Sequence, residues 1–405
     1  MMNPGLSGPA VRPRFPNTAF AVFGLLAVLP ITVRFYWPAG NGLDVTGYPV
    51  GRDFINNWVG PRLAFHGELT TLFDLTAYAE AIGRVFGTPL PFHNWGYPPF
   101  SLLLLWPFAQ LPYPAALAAW TLLLFGAFAA VTLSQVPAPE RLRALLLLLL
   151  SPACLINMIG GQNGFLTGLL LLGGLLCLEK RPWLAGLLFG LLTYKPHLGL
   201  VLPLVLIALG AWRTIASASL TAIALVAVSA AVFGLEPWRA YFTTVSAFQF
   251  AILERFEGFF TYMMASVYAG ARTFGLPSQA AFALQAAVSL PVLAATVWGV
   301  RRSRDVRQRT ALVVCAVPLL TPYAFNYDLT AVAAVIVWRI CASVPDPTAN
   351  RRLLAAWMIP ALMMPLNMIG MGISSLALIA LYLTILHEIA KPVPATSRSL
   401  APAAA

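Results

Sequence analysis

The acidic side chains that could take part in proton transfer are concentrated in one polar stretch of a very apolar chain. Five of the 14 Asp and Glu residues lie between residues 38 and 97, namely Asp44, Asp53, Glu68, Asp74 and Glu80. Asp53 follows Arg52 and stands directly before apolar residues with helical spacing. An acid at that position can cap the helix that follows it, or it can take a proton from a substrate as a general base. The sequence leaves both interpretations open.

A second charged residue that could do chemistry is Lys195, in the stretch Thr193–Gly199 (TYKPHLG), which apolar runs flank on both sides. A charge at membrane depth costs at least about 2.5–3.5 kcal/mol on insertion scales, so its presence requires a reason. Lys195 can be an incidental lysine whose ammonium snorkels to water, or it can bind a phosphate as a compact cation with three donors. His197, two residues further on, is a weaker candidate for substrate binding.

Three further polar motifs stand at the ends of apolar runs. The turn Gly160–Gly164 (GGQNG) is either an ordinary hairpin or a site where Gln162 and Asn163 bind sugar hydroxyls or phosphate oxygens. The prolines of Tyr97–Phe100 (YPPF) fix the backbone there, and Thr321–Thr330 (TPYAFNYDLT) adds an amide and an acid. The candidate substrate-binding side chains are Tyr97, Gln162, Asn163, His197, Asn326, Tyr327 and Asp328.

The chain that must position these groups is predicted to be a polytopic membrane protein. It has 405 residues, of which 59% are hydrophobic and 10% are charged, and its mean hydropathy is +0.79. The apolar runs lack the alternation of barrel strands, so the spanning elements are expected to be helices. The net charge of +11 does not indicate nucleic-acid binding, because the basic residues form short clusters between apolar runs, where they set topology.

Apolar runs approaching the ~20 residues that a crossing needs predict a bundle of about 12 transmembrane helices in one domain, residues 1–391. The candidate spans are 18–37, 113–134, 142–159, 164–179, 182–194, 197–210, 214–235, 279–300, 310–323, 327–343, 353–371 and 373–390. The short pieces 182–194 and 197–210 can form one broken helix or two. The segments 98–111 and 259–275 are predicted to be helices at the membrane surface, and the tail 392–405 to be disordered.

The first loop, residues 38–112, is predicted to contain juxtamembrane helices. Apolar residues recur at helical spacing over Leu75–Phe86, with Asp74 before them as a cap. The same spacing appears over Ile55–Leu63, although Pro61 is expected to break or restart that helix. An amphipathic helix beside a membrane lies in the interface plane. Asp53 is therefore expected near the start of such a juxtamembrane helix.

The distribution of charge predicts the orientation of the chain in the membrane. With a cytoplasmic N-terminus, the cytoplasmic segments contain 17 Lys and Arg residues against five acids, and the opposite segments contain eight against nine. This asymmetry follows the positive-inside rule. It places the polar motifs on the non-cytoplasmic face of the cell inner or plasma membrane.

The order of the motifs resembles a known family. A first helix, a loop that opens with an acid, YPPF, GQNG, AGLLFGLLTYKPHLGL and TPY…YDL follow one another over roughly residues 20–340. This order resembles glycosyltransferase family 87, whose members are GT-C enzymes typified by polyprenol-phosphate-mannose-dependent mannosyltransferases. The resemblance implies a GT-C fold, a donor that carries its sugar on a polyprenyl phosphate, and a site open to the non-cytoplasmic side.

The resemblance also implies roles for individual residues. The acid of the family's first loop is a general base and falls on Asp53, and the lysine after the small-residue helix falls on Lys195. Many members carry a histidine after an aromatic residue at the later junction, where this chain has Asn326-Tyr327-Asp328. Lys195, with Arg52 or Arg62 as helpers, would stabilise the phosphate that leaves. Such a reaction requires no metal or other cofactor.

The expected partners are a polyprenyl-phosphate sugar donor, a lipid or glycan acceptor and membrane lipids. Two other interpretations stay open. A transporter or lipid flippase could use the same polar residues as a substrate path, but the internal pseudo-symmetry typical of transporters is not found in the sequence. A scaffold subunit with a degenerate site would fit the missing histidine.

Overall fold

The protein is all-α, as its sequence predicts. A computed structural model of the chain describes residues 22–26, 29–30, 33–34, 37–90, 93–342 and 347–391. Apart from one short hairpin, these residues form helices joined by turns. The described residues between 22 and 34 are helical, whereas the rest of the predicted first span and the tail 392–405 lie outside the described residues. The single-domain assignment stays a prediction.

The hairpin pairs β1 (Pro38–Gly40) antiparallel with β2 (Leu43–Asp44). The α-helices are α1 (Phe54–Phe65), α2 (Leu69–Phe73), α3 (Leu75–Phe86), α4 (Ser101–Ala109), α5 (Tyr113–Leu133), α6 (Arg141–Leu149), α7 (Pro152–Ile159), α8 (Gly164–Cys177), α9 (Pro182–Leu192), α10 (Leu202–Ala208), α11 (Trp212–Phe233), α12 (Glu236–Ala240), α13 (Ser246–Arg255), α14 (Val267–Thr273), α15 (Ser278–Arg302), α16 (Val306–Leu320), α17 (Thr330–Ala342), α18 (Pro347–Met368) and α19 (Ser374–Ala390). Short 3-10 turns cover Ala138–Glu140, Pro196–Gly199, Phe259–Met263 and Asn326–Leu329, and Tyr241–Val245 is one π-helical turn.

The helix predicted over Leu75–Phe86 in the first loop is confirmed, with the same bounds. Asp74 caps it, because its Oδ1 accepts a hydrogen bond from the backbone N–H of Ala77 at 2.9 Å. Gly87 ends the helix in the left-handed region, at a φ of 69°. This position favours glycine because it has no Cβ.

The expectation that Pro61 breaks the preceding helix is wrong, because α1 runs through it without interruption. Side chains on either side of the proline anchor α1 to the chain around the end of α4. Trp58 Nε1 donates to the carbonyl of Leu111 at 2.9 Å, and Arg62 Nε donates to the carbonyl of Ala109 at 2.7 Å. These tertiary bonds offset the cost of an interior proline, which is about 3 kcal/mol.

The predicted count of about 12 transmembrane helices is not confirmed. Within the described residues, α5, α11 and α15 are long and apolar enough to cross a membrane. The predicted span 142–159 divides into α6 and α7, which meet at a bend of 54° and would count as a fourth crossing if they form one. Other apolar helices are shorter than a crossing of ~20 residues needs, such as α8 with 14 residues.

The stretch 182–210 forms two helices rather than one. α9 ends at Leu192, a 3-10 turn covers Pro196–Gly199, and α10 begins at Leu202. Lys195 therefore stands in the break between the helices. The small residues of α9 allow close packing, because a Cβ added to Gly186 would lie only 2.4 Å from the Cβ of Ser217 on α11.

Charged residues and polar motifs occupy opposite ends of the same helices. α8 has Gln162 before its first residue and Glu179 after its last, and Glu179 forms an ion pair with Arg309 near the start of α16. α17 likewise follows Asp328 and carries Arg339 in its last turn, where Arg339 pairs with Glu388. One end of the bundle thus collects the charges predicted to be cytoplasmic. The membrane face on which each end lies stays a prediction.

Candidate active site

One cavity of about 480 Å³ lies at the end of the bundle that carries the polar motifs. This volume is within the roughly 300–1,000 Å³ that is typical of small-molecule sites. Of the residues selected from the sequence, the structure brings Asp53, Tyr97, Gln162, Lys195, His197 and Tyr327 to its wall. Apolar side chains form another part of the wall, namely Phe250, Ile252, Leu253, Phe260 and Met263. The cavity therefore combines a polar and an apolar surface.

Asp53 does not cap the helix that it precedes. It occupies the position before α1, but its side chain accepts no capping hydrogen bond from the helix backbone. Instead, Oδ2 of Asp53 accepts a hydrogen bond from Nε2 of Gln162. The carboxylate is exposed and lines the cavity, whereas Gln162 is only 6% exposed. The cap interpretation is therefore wrong, and the carboxylate is available to a bound molecule.

Arg52 is not on the cavity wall, in contrast to its predicted role as a phosphate-binding helper. Its guanidinium forms an ion pair with Asp44 at 2.9 Å, donates to Thr46 Oγ1 at 2.7 Å, and lies 4.2 Å from the ring centre of Tyr48. The backbone of Arg52 has a positive φ of 47°, which residues other than glycine rarely adopt. Its partners hold the guanidinium beside Asp44, although Arg52 is adjacent to Asp53 in the sequence.

Arg62 is not on the cavity wall either. It lies nine residues beyond Asp53 on α1, about 13 Å further along the helix axis. There it stacks on the ring of Trp58 at 3.8 Å and donates to the carbonyls of Ala109 and Leu111. The structure gives both arginines a role in holding the first loop.

Lys195 is buried and paired at the break between α9 and α10. Its Nζ lies 2.7 Å from Oδ1 of Asp328 and 4.9 Å from the ring centre of Tyr327. The lysine side chain is 8% exposed and that of the aspartate 2%. An ammonium that snorkels would reach water, so the snorkelling interpretation does not fit. Lys195 also lines the cavity, which leaves its ammonium within reach of a bound anion.

Asn326 and Asp328 are predicted to bind substrate, but the structure does not bring them to the cavity wall. Asp328 Oδ2 accepts a hydrogen bond from the backbone N–H of Phe325 at 3.1 Å, which closes the 3-10 turn before α17. Asn326 is buried, and its Oδ1 accepts from the N–H of Tyr327 at 2.9 Å. Their polar atoms serve the turn and the lysine, while Tyr327 faces the cavity.

Asn163 lies behind the wall and orients Tyr97. Its Nδ2 donates to the hydroxyl of Tyr97 at 2.8 Å. Burial raises the pKa of Tyr97 far above its ordinary value, so the phenol stays neutral and keeps a proton to donate into the cavity. His197 packs edge-on against Tyr323 with ring centres 5.5 Å apart. Its buried Nε2 makes no hydrogen bond within the described residues.

Sequence reasoning missed a group of polar wall residues. They are Asn56, His93, Asn94, Tyr241, Ser246, Gln249 and Tyr323. Tyr323 stands in the motif Thr321–Thr330, and its hydroxyl donates to Oε1 of Gln249 at 2.6 Å. Gln249 lies on α13, in the segment between the predicted spans 214–235 and 279–300, where no polar motif indicates a site. Asn56 stands one helical turn after Asp53, so that spacing was the available signal.

The described residues contain no group of three or more His, Cys, Asp and Glu side chains that could hold a metal ion. The fold and the cavity together define a helical membrane protein with an acid–amide pair and a buried ammonium on one polar wall. A sequence model of glycosyltransferase family 87 matches residues 95–322. The chain belongs to this family. The match includes Tyr97, Gln162 and Lys195 but begins after Asp53.

A curated relative gives a further comparison. The chain is 32% identical over 265 residues to a polyprenol-phosphate-mannose-dependent alpha-(1-2)-phosphatidylinositol mannoside mannosyltransferase of Mycobacterium tuberculosis. The alignment covers 58% of this chain and 58% of that relative, so the chain spans little more than half of its length. No solved structure matches the chain.

Proposed function

We propose that this protein is a membrane glycosyltransferase that moves a mannose-like sugar from a polyprenyl phosphate to a lipid or glycan acceptor. The observation that carries the proposal is that Asp53 and Lys195 share the wall of one cavity, beside an apolar surface. A carboxylate and an ammonium are the two groups that such a transfer needs. The family membership and the name of the relative support the same reaction class.

The reaction would divide the work between these two residues. An acceptor hydroxyl oxygen attacks the anomeric carbon of the donor, and the bond from that carbon to the phosphate oxygen breaks. Asp53 takes the proton of the hydroxyl as the new bond forms. The polyprenyl phosphate leaves with the electron pair, and the ammonium of Lys195 stabilises the growing negative charge.

The apolar wall would hold the isoprenoid of the donor. Phe250 and Leu253 lie on α13, and Phe260 and Met263 lie on the 3-10 turn that follows it. Burial of apolar surface contributes about 25 cal/mol per Å², so a long chain gains affinity from such a wall. The sugar would then lie against the polar wall, next to Asp53 and Gln162.

We further propose that the cavity opens on the non-cytoplasmic side of the cell membrane, with the N-terminus in the cytoplasm. The charge asymmetry of the sequence supports this orientation. The structure is compatible with it, because the ion pairs Arg309–Glu179 and Arg339–Glu388 lie at the end opposite to the cavity.

Transfer can be tested directly with the full chain in proteoliposomes. The donor is polyprenyl-phosphate [14C]mannose, the acceptor is a phosphatidylinositol mannoside, and labelled product is separated from donor. We expect label in the acceptor with the wild type and almost none with Asp53→Asn. Parallel donors that carry glucose or arabinose identify the sugar. Movement of labelled donor across the bilayer without transfer to any acceptor would overturn the proposal in favour of a flippase.

A further inference from the structure

The turn that carries Gln162 is built against the turn that carries Asp53. Gly161 has a φ of 54°, and a Cβ added to it would lie 2.5 Å from the carbonyl oxygen of Gly51 and 2.5 Å from the Cβ of Phe54. Such distances do not occur in real structures, so only glycine allows the two backbones to approach this closely. Gly161 in the GGQNG turn therefore permits the close contact with the first loop.

The backbone of Gln162 is fixed from two other sides. Its carbonyl accepts a hydrogen bond from Trp120 Nε1 at 3.1 Å, and its N–H donates to the carbonyl of Asn157 at 2.9 Å. Its side chain is almost fully buried. A buried, doubly held residue has little freedom to move its amide, so its direction is set before any substrate binds.

The amide of Gln162 points at the carboxylate of Asp53. Nε2 of Gln162 donates to Oδ2 of Asp53, and this is the hydrogen bond that the Asp53 side chain accepts within the described residues. The carboxylate receives no bond from its own helix. One of its two oxygens is therefore held by the amide, while Oδ1 is left for a molecule in the cavity.

We infer that Gln162 is a positioning residue that aims Oδ1 of Asp53 at the acceptor hydroxyl, rather than a sugar-binding residue. The inference rests on the proposed function, in which Asp53 is the base. The Nε2 amide group only donates, so it stabilises the ionised carboxylate and cannot take the proton in its place. An oriented base gains rate because a misplacement of about 1 Å can cost ~10²-fold.

Two substitutions separate this role from a contact with substrate. Gln162→Ala removes the donor, and we expect kcat to fall by about tenfold to a hundredfold with little change in the donor KM. Gln162→Glu places a second carboxylate against the first, so the two share a proton. We expect the acid limb of its pH–activity profile to move upward by at least about one unit, with partial recovery of activity at high pH.

Other ionisable groups, including His93 and His197, line the same cavity as Asp53. They are identical in the wild type and in Gln162→Glu, so they cannot cause a difference between the two pH profiles. Tyr97, Tyr323 and Tyr327 face Asp53 across the cavity, Arg52 is its neighbour in sequence, and Lys195 is held by Asp328. Burial raises the pKa of Tyr97 and of Tyr323 above the ordinary value, so both phenols stay protonated near neutral pH. A shift that appears only with Gln162→Glu therefore reports on the new carboxylate pair.

A second readout does not depend on catalysis. A water-soluble carbodiimide with glycine ethyl ester modifies protonated carboxyl groups, and mass spectrometry of the Asp53 peptide measures the rate as a function of pH. We expect Gln162→Glu to raise modification of Asp53 at neutral pH several-fold over the wild type. Gln135→Glu is the matched control, because Gln135 lies at the opposite end of α5 and donates to Ser134.

The outcomes distinguish the inference from the proposed function. A wild type without transferase activity, combined with faster Asp53 modification in Gln162→Glu, would remove the proposed function and leave the hydrogen-bonded pair established. Unchanged modification together with an unshifted pH profile would overturn the inference even if transfer is observed. A fall in activity of Gln162→Ala that is confined to KM would also overturn it, since that result identifies a substrate contact.

Discussion

Lys195 and Asp328 are 133 positions apart in the sequence and form a buried ion pair, with Nζ 2.7 Å from Oδ1. The pair joins the break between α9 and α10 to the turn before α17. Asp328 uses its other oxygen to hold the N–H of Phe325, so one carboxylate fixes both the lysine and the turn. The ammonium has three donors, and a phosphate in the cavity could share it without displacing Asp328.

The pair makes a prediction about stability. Asp328→Asn removes the negative charge and leaves a buried ammonium without its counter-ion, so we expect a loss of about 3–5 kcal/mol, seen as a clear fall in the thermal unfolding midpoint. Adding Lys195→Met should recover most of the loss, because neither charge is then buried. Thermal unfolding of both variants in detergent checks this. Equal midpoints for the single and double variants would show that the ion pair does not hold the junction.

Replacing Asp53 is expected to slow transfer without lowering the stability of the fold. Asp53→Asn keeps the shape of the side chain but cannot accept a proton, so we expect transfer to fall by about 10²–10⁴-fold. The same variant should leave the thermal midpoint nearly unchanged, since the side chain caps no helix and the Oδ1 of asparagine can still accept the hydrogen bond from Gln162. Asp74→Asn is the matched control, because Asp74 caps α3 away from the cavity and asparagine caps equally well. Half of normal turnover in Asp53→Asn would exclude Asp53 as the base.

Replacing Lys195 is expected to weaken binding of the donor. Lys195→Ala should raise the donor concentration needed for half-maximal rate and slow turnover, because the leaving phosphate loses its cation. Lys195→Arg should restore part of both, limited by the planar shape of the guanidinium. Donor titration at saturating acceptor measures the effect, with Lys180→Ala at the opposite end as control. A defect confined to acceptor dependence would assign Lys195 to the acceptor.

The helical class and much of the polar wall could be predicted from the sequence, because Asp53, Gln162 and Lys195 all stand at helix ends that the alternation of spans puts on one side. The places of Arg52 and Asp328 could not. Arg52 has a positive φ and pairs with Asp44, and Asp328 closes a 3-10 turn and pairs with Lys195. Neither effect leaves a periodic pattern. The predicted number of crossings is also not confirmed, because apolar composition alone does not fix helix length: α8 has 14 residues, whereas a crossing needs ~20.

The proposed orientation can be tested by cysteine labelling of intact cells in a variant that lacks the native Cys154, Cys177, Cys315 and Cys341. Val85→Cys lies on α3 in the first loop, where Val85 is 43% exposed. We expect an impermeant maleimide to label it from outside. Arg304→Cys, at the exposed opposite end, should react only after the membrane is opened. The reverse pattern would place the cavity in the cytoplasm.

We expect Phe260, on the apolar wall, to bind the isoprenoid of the donor, so that its contribution to donor affinity depends on the length of that chain. Its ring lines the cavity on the turn after α13, where the isoprenoid would lie. Phe260→Ser should raise the donor concentration for half-maximal rate by roughly tenfold, or about 1.4 kcal/mol, for a full polyprenyl donor. For a short citronellyl donor, whose chain contacts less of the wall, the same substitution should change little. Phe274→Ser is the control, because Phe274 is 56% exposed and lies off the cavity wall. If both donors lose affinity equally, Phe260 contacts the sugar phosphate or shapes the fold, and the isoprenoid lies elsewhere.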